Sequence, residues 1–525
     1  MNVQVLDTTQ KRLSILGDDE IAALYSRPCF THDERTQYFS LSQPEKEVLQ
    51  DLRSVTSQAY FVLQLGYFKA RHLFFTFDLD EVAEDLQYVL EHHFPTREMP
   101  ARTSIDKFTK RKQQHVILAL YHYRSCHAEE RQQLAAKARQ AARVCAKPVY
   151  IFRALLQYMT EQRLVAPGYS FMQDTVGQAL TYEQERLTTL VAQALNRTNI
   201  EALHRLLDDA PGLYELTQFK REPRDFSASE IKRERHRGAQ LRALYHLANT
   251  LLPALNISNE SIKYYASLVN YYSVYKLKRL QKATVYVYLL CFVYHRYQKH
   301  HDNLIHSLLY NVRRYTDEAK AAAKDRVYEA HTEGNENLDK AGQVLKLFTD
   351  DRIAQQTPFS EVQAQAFSIL ERHQIDFIAD HLTTHVTFDE TAFQWEHMDE
   401  LAHQFKRHLR PIVVAVDFTA SSAQTPLMEA VHFLQTAFHK GQPLGHYPAS
   451  AFPIRCIPEA STRYLYAQDP QGHRHVLPDR YEFLVYRLLR NRLEAGLTGG
   501  NVRHYPILSI SLSHKSLLSH NVESR

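Results

Sequence analysis

The sequence predicts a mostly α, multi-domain protein made of helical bundles, and three observations carry that expectation. Only 14 of 525 residues are glycine, too few for the many tight turns of a β-rich or α/β architecture. Apolar residues recur with helical period between capping signals, as the segments below show. The chain is also too long for one core, so two to four domains are expected. A hydrophobic content of 44% lets each of them bury a core.

Several classes are disfavoured at the outset. The five cysteines, Cys29, Cys126, Cys145, Cys291 and Cys456, lie far apart with no CxxC pair. That spacing fits a reducing cytoplasm and neither a disulfide frame nor a zinc finger. The start, MNVQVLDTTQKRL, lacks an apolar signal core, and the longest apolar run, Val285 to Tyr294, is about half of what a bilayer requires. The expectation is a soluble, cytoplasmic protein without a membrane partner. A net charge of +4 conceals local asymmetry that matters more than the total.

Residues 1 to 38 read as a lead-in helix with Ile21, Leu24 and Tyr25, then a polar loop around Pro28. Three helices are expected between Phe39 and Phe94. Ser42 and Glu45 form a capping box for a helix bearing Val48, Leu52 and Val55. Tyr60 to Leu73 is apolar nearly all round (Phe61, Leu63, Leu65, Phe68), the mark of a helix buried between others. Asp78 with Glu81 starts the third, with Val82, Leu86, Val89 and Leu90 as its stripe and Pro95 beyond its end.

The wording of this stretch carries a resemblance. FSLSQPEKEVL, then FVLQLGYFKA, then FFTF and EVAEDLQYVL, resembles the amino-terminal domain of Tn-3 family transposases, bacterial enzymes that move replicative transposons. The likeness extends through YIFRALLQYMTEQRLVAPGYSFMQDTVGQAL and LTQFKREPRDFSASEIKRERHRGAQLRALYHL. It implies helix-turn-helix-like units that bind double-stranded DNA at terminal inverted repeats, a homodimer, and a bacterial, nucleoid-associated location. A helical interaction scaffold, or a truncated, inactive or regulatory transposase fragment, is the alternative.

Charge locates the candidate contacts. From Arg97 to Arg153 there are 13 Lys or Arg against four Asp or Glu. Ser104 is expected to cap a helix running to about Arg124. Lys107, Lys110, Arg111 and Gln114 fall at i, i+3, i+4 and i+7 and should form one exposed stripe. Phe108, Ile105, Val116, Ile117 and Leu120 should give apolar contacts elsewhere. Such a helix can lie against phosphates or enter a major groove, and a solvated charged face is the competing reading. The family often shows Arg-His-Arg here, where this chain has Lys110-Arg111-Lys112 and His115.

After a break at Pro211-Gly212 and a loop at Glu222-Pro223, Arg221, Arg224, Lys232, Arg233, Arg235, Arg237 and Arg242 cluster around a helix starting near Ser227 or Ser229. From Glu260 to Tyr315 there are 11 Tyr and nine Lys or Arg against two acids. Its Tyr stripes are expected to be core, with Lys276, Lys278, Arg279 and Lys282 as phosphate contacts. Thr316 to Glu400 reverses sign, with 18 acids against seven bases. A helix, DEAKAAAKDRVYEAH, a loop at Gly334-Asn335 and further helices are expected there, suited to a scaffold or self-association role, and a charged solvated surface explains the composition equally well.

RPIVVAVDFTASS reads as a buried strand ending in Asp417, the look of a first catalytic carboxylate. No succession of strands and carboxylates follows that could hold two metal ions. In the resembled family the catalytic carboxylates lie after a segment like IPEASTRYLY and DRYEFLVYRLLRNRLEAG (457 to 496). The chain is therefore expected to be non-catalytic, stopping before the ribonuclease-H-like catalytic domain. No cofactor is expected, and no metal site, since His381 and His385 are a lone pair without companions. The expected organisation is a transposase-like domain at 1–170 with the basic helix and a Tyr-rich DNA-binding region at 171–315. An acidic scaffold at 316–410 and a linker region at 411–525 follow.

Overall fold

In this computed structural model the described residues are 13–95, 105–210, 213–384, 389–419, 424–468, 472 and 474–498. The protein is mostly helical. Among the described residues strands occur as two antiparallel pairs, β1 (Asp209–Ala210) with β2 (Leu213–Tyr214) and β3 (Tyr466–Gln468) with β4 (Arg474–Val476). The chain forms two compact units. Unit 1 is Met1–Arg221 with Leu241–Tyr297, and unit 2 is Glu222–Gln240 with Gln298–Arg525.

Unit 1 opens with α1 (Asp18–Tyr25), α2 (His32–Tyr38), α3 (Gln43–Gln50), α4 (Val55–Arg71) and α5 (Ala83–His93). Every residue of α4 from Gln58 to Phe68 is buried, because α2, α3, α5 and α6 (Lys107–Tyr121) all pack against it. Gly66 is required by one of these contacts. A Cβ there would lie 2.3 Å from Cδ1 of Phe39, whose ring is fully buried. The expected first helix is shorter than its apolar pattern suggested: α3 ends at Gln50, and Val55 begins α4. Asp78 and Glu81 do form a start signal, with the Asp78 N–H donating to Glu81 at 3.2 Å. It opens a 3-10 turn, Leu79–Val82, ahead of α5.

Next come α7 (Ala128–Val144), α8 (Pro148–Glu161), α9 (Tyr169–Ala194), α10 (Arg197–Arg205) and α11 (Glu215–Phe219). Helices α7, α8 and α9 pack on one another around Leu134, Ala138, Phe152, Leu155, Met172 and Val176. Pro211-Gly212 and Ser104 lie outside the described residues. The unit is completed by the later part of α12 (Ala228–Ala254), by α13 (Asn259–Tyr271) and α14 (Val274–Lys278), and by the start of α15 (Lys282–Lys346). Here the Tyr-rich segment is core in part. Tyr264, Tyr265, Tyr272 and Tyr288 are buried, and the Tyr265 and Tyr288 rings stack with centroids 5.2 Å apart. Tyr271 and Tyr275 are exposed.

Unit 2 holds the first turns of α12, the rest of α15, then α16 (Phe359–Ile369), α17 (Arg372–Thr384) and α18 (Glu390–Glu400). It closes with α19 (Ala402–Ala415), α20 (Thr425–His439), α21 (Glu459–Thr462) and α22 (Pro478–Thr498). Its core joins α15 to α18, α19, α20 and α22 through Tyr315, Phe405, Leu409, Val431, Phe483 and Leu489. Glu482 is fully buried there and compensated. Arg410 grips it bidentately at 2.8 and 2.6 Å, and the Tyr486 hydroxyl donates to it at 2.7 Å.

Two expectations are corrected here. The segment RPIVVAV is the end of helix α19 and not a strand. Leu409, Ile412 and Val413 are buried within the helix and Val416 is buried at its C-cap, an i, i+3, i+4, i+7 set that a short apolar run hides. Gly334-Asn335 is not a loop, since α15 continues through it. A single glycine costs a helix only about 1 kcal/mol, and the flanking Ala, Glu and Lys offset it. The boundaries expected at 170/171, 315/316 and 410/411 fall inside α9, α15 and α19. At 315/316 the change of charge sign marks a surface, whereas a fold boundary follows packing.

Candidate nucleic-acid interface

Helix α6 begins at a charged cap. Asp106 accepts from the backbone N–H groups of Phe108 and Thr109 at 2.9 and 3.0 Å, and from the Thr109 hydroxyl at 2.6 Å. These bonds, the Thr109 hydroxyl first, hold its carboxyl below the ordinary range. The other end is fixed by Tyr121, whose hydroxyl donates to Glu45. Glu45 is buried and also accepts from the Ser42 N–H at 2.7 Å and from Lys69 at 2.9 Å. Burial pushes its carboxyl up, but the bonds from Tyr121, Ser42 and Lys69 together leave it below the ordinary range. One carboxylate thus ties α3, α4 and α6 together. In the middle, Gln113 is buried and donates to the Ser57 carbonyl at 2.9 Å.

With that side fixed, the opposite face is set. Phe108, Arg111, Lys112 and His115 are exposed and follow i, i+3, i+4, i+7, with exposed Lys107 at their edge. Phe108 is 78% exposed, so its expected place among the apolar contacts is corrected. Phe108 is apolar by type, but its angular position on the helix lies between those of Lys107 and Lys112. Lys110 departs from the expected stripe. Its ammonium donates to the Phe77 carbonyl at 3.3 Å, stands 3.5 Å from Asp78 and lies over the Tyr60 ring. It fastens α6 to the module beneath.

The other cations of this basic stretch are partly engaged. Arg131 lies over the Phe171 ring, Lys137 over Tyr158 and Arg139 over Tyr182, which binds α7 to its neighbours.

A second cationic surface in the same unit is built on α14 and the start of α15. The Ser273 hydroxyl caps α14, accepting from the Lys276 N–H at 3.2 Å. Lys276 rests its ammonium 4.5 Å from the Tyr272 ring centre and is half-buried. Lys278, Arg279 and Lys282 are exposed, and Arg279 lies over the ring of exposed Tyr275. Beneath, Lys220 donates to the Tyr272 carbonyl at 2.7 Å, and burial pulls its ammonium down to about 8.

Arg233 and Arg237 belong to unit 2. Arg233 is ion-paired to Glu230 three residues earlier. Arg237 is largely buried and pairs with Glu234 at 3.0 Å. Glu234, itself buried, lies 2.7 Å from His300 Nδ1 and accepts from Asn303, also at 2.7 Å. A buried carboxylate demands such partners, so the Arg237 guanidinium is committed inside the unit.

Asp417 is exposed on the segment after α19. Among the described residues no three His, Cys, Asp or Glu gather so as to hold a metal ion. His385 lies outside the described residues. No helix among them is long and apolar enough to cross a membrane.

Residues 15–179 match a family model described as a domain of unknown function, DUF4158. The match takes in the α4 module and all of α6. No curated protein matches the chain.

Proposed function

We propose that the chain binds double-stranded DNA as part of a Tn-3-type transposase, contacting transposon ends through unit 1. One observation carries this reading. The exposed face Phe108, Arg111, Lys112 and His115, edged by Lys107, stands on a helix whose other side is locked down, inside the domain matched at residues 15–179. A fixed helix with guanidinium, ammonium and aromatic groups outward is suited to phosphates and groove edges. Lys278, Arg279 and Lys282 form the second contact region, with exposed Tyr271 and Tyr275 beside them. Lys110 and Arg237 are left out of the interface, since their charged groups are already spent. No reaction is assigned to the described residues. On this reading the protein would act at the bacterial nucleoid.

Electrophoretic mobility shift on duplex DNA at a series of salt concentrations tests the reading. Binding should weaken steeply as salt rises, and Lys107→Ala/Arg111→Ala/Lys112→Ala should flatten the log–log slope by about 0.9 per lost phosphate contact. An unchanged slope, with the helical circular dichroism intact, would remove α6 from the interface.

Contact with protein is the second reading, and it too has its own observation. Leu345, Phe348, Phe359 and Phe377 are each more than 60% exposed within the acidic stretch of unit 2. Large apolar groups on a surface that repels DNA favour a protein neighbour there, a second copy of the chain among the candidates.

A further inference from the structure

In unit 2, α15 and α22 each present a polar face toward one cavity of about 490 Å³. Helix α15 brings Arg313, Thr316, Asp317 and Lys320, and α22 brings Arg487, Arg490, Asn491 and Glu494. Both sets follow i, i+3, i+4, i+7, so each is a single stripe of its helix. Four cations meet two acids, leaving the site at +2. Asp317 stands 3.7 Å from Arg313, and Glu494 3.1 Å from Arg490. Among the described residues Lys320 and Arg487 form no ion pair. Arg487 lies over the ring of Trp395, 5.4 Å from its centre. Burial, and then the like charge of Arg490, hold its guanidinium below the ordinary range.

We propose that this cavity is a phosphate-binding site, with Arg487, Arg490 and Lys320 as the anion-binding groups. Two guanidinium groups crowded together in a concave, partly dehydrated place repel each other, and an oxyanion between them relieves that repulsion. Guanidinium forks match phosphate oxygens in pairs, and an ammonium adds a point charge. The Asn491 amide, exposed at the rim, can donate to a further oxygen. The Thr316 hydroxyl already donates to the Val312 carbonyl at 2.7 Å, so it serves as wall. The volume admits a phosphate together with the sugar that carries it. A phosphodiester of the DNA backbone and a free phosphate or phosphate monoester share this chemistry. The first source rests on the duplex-binding reading above, and the second does not.

Trp395 is the only tryptophan in the sequence, which makes its fluorescence a reporter of the group lying over it. Full-length protein is titrated with inorganic phosphate, and separately with a short duplex, at ionic strength held constant with chloride. A saturable change in Trp395 emission with either probe is expected. Lys320→Glu, at an exposed position that folding does not depend on, should weaken it at least tenfold, as should Arg490→Gln. A response to duplex alone would assign the site to nucleic-acid backbone. A response to inorganic phosphate in a protein that fails the mobility-shift test would keep the site and overturn the duplex reading. No saturable change with either probe, or an undiminished one in Lys320→Glu, would overturn the proposal.

Discussion

Helix α6 and the first turns of α12 look alike in sequence. One reads KFTKRKQQH from Lys107 and the other SEIKRERHRG from Ser229. Their cations end in different places because of what stands three residues away. In α12, Glu230 precedes Arg233 and Glu234 precedes Arg237, and both pairs close as ion pairs. In α6 the one acid nearby, Asp106, turns back to cap the helix start, so Lys107, Arg111 and Lys112 keep their charge outward. The count of basic residues in a window therefore says little about the field outside. An i, i+3 carboxylate can commit a cation to the fold, as Glu234 does for Arg237, and a partner distant in sequence can do the same, as Phe77 and Asp78 do for Lys110.

The largest effect that could break this comparison is on folding. Glu234→Gln leaves Arg237 and His300 without their shared carboxylate in a buried place. It should cost unit 2 roughly 3–5 kcal/mol, read as a lowered denaturant midpoint. Arg111→Ala, on the exposed face of α6, should change stability by no more than about 0.5 kcal/mol. Equal effects from the two changes would mean that α12 and α6 hold their cations in the same way.

The next effect concerns what holds α6 in place, and it depends on pH. Glu45 has a folded-state carboxyl below its unfolded value near 4.5. Its contribution is therefore fully present above that value and is lost as pH falls through the folded one. Wild-type stability should drop on acidification below about pH 4.5 by more than that of Glu45→Gln, which at neutral pH should already be weakened. Denaturant midpoints measured from pH 3 to 7 give the comparison. Parallel curves for the two proteins would show that Glu45 does not titrate with folding.

Much of this architecture was legible. The capping residues Glu45 and Glu81 and the all-round apolar run of α4 point directly to the helices they make. The E-x-x-R spacing at Glu230 and Glu234 is also present in the sequence and is the signal for the pairing of Arg233 and Arg237. Phe108 is apolar by type, yet its angular position on α6 turns it outward. The strand expected at Ile412 to Val416 failed because a short apolar run fits either period. The cavity between α15 and α22 had no signal of any kind. Its two stripes lie about 170 positions apart, and only packing in unit 2 brings Arg487 over Trp395 and toward Lys320.

The finest distinction lies inside α6, between neighbours of the same charge. Lys110 and Lys112 are two residues apart, so helical geometry turns them about 200° from each other. Lys110 is fastened to Phe77 and Asp78 over the Tyr60 ring, whereas Lys112 is exposed. Replacing Lys110 with Met removes a hydrogen bond to a carbonyl and a cation above a ring, and should cost about 1 kcal/mol of stability. The salt dependence of duplex binding should be unchanged, because that ammonium meets no phosphate. Lys112→Ala should do the reverse, leaving the denaturant midpoint alone and lowering the salt slope by about 0.9. Measuring both quantities on both variants separates a lysine that builds the helix's seat from one that uses it. A reduced slope in Lys110→Met at full stability would place its side chain outward when DNA is bound, and the division of labour within α6 would then have to be redrawn.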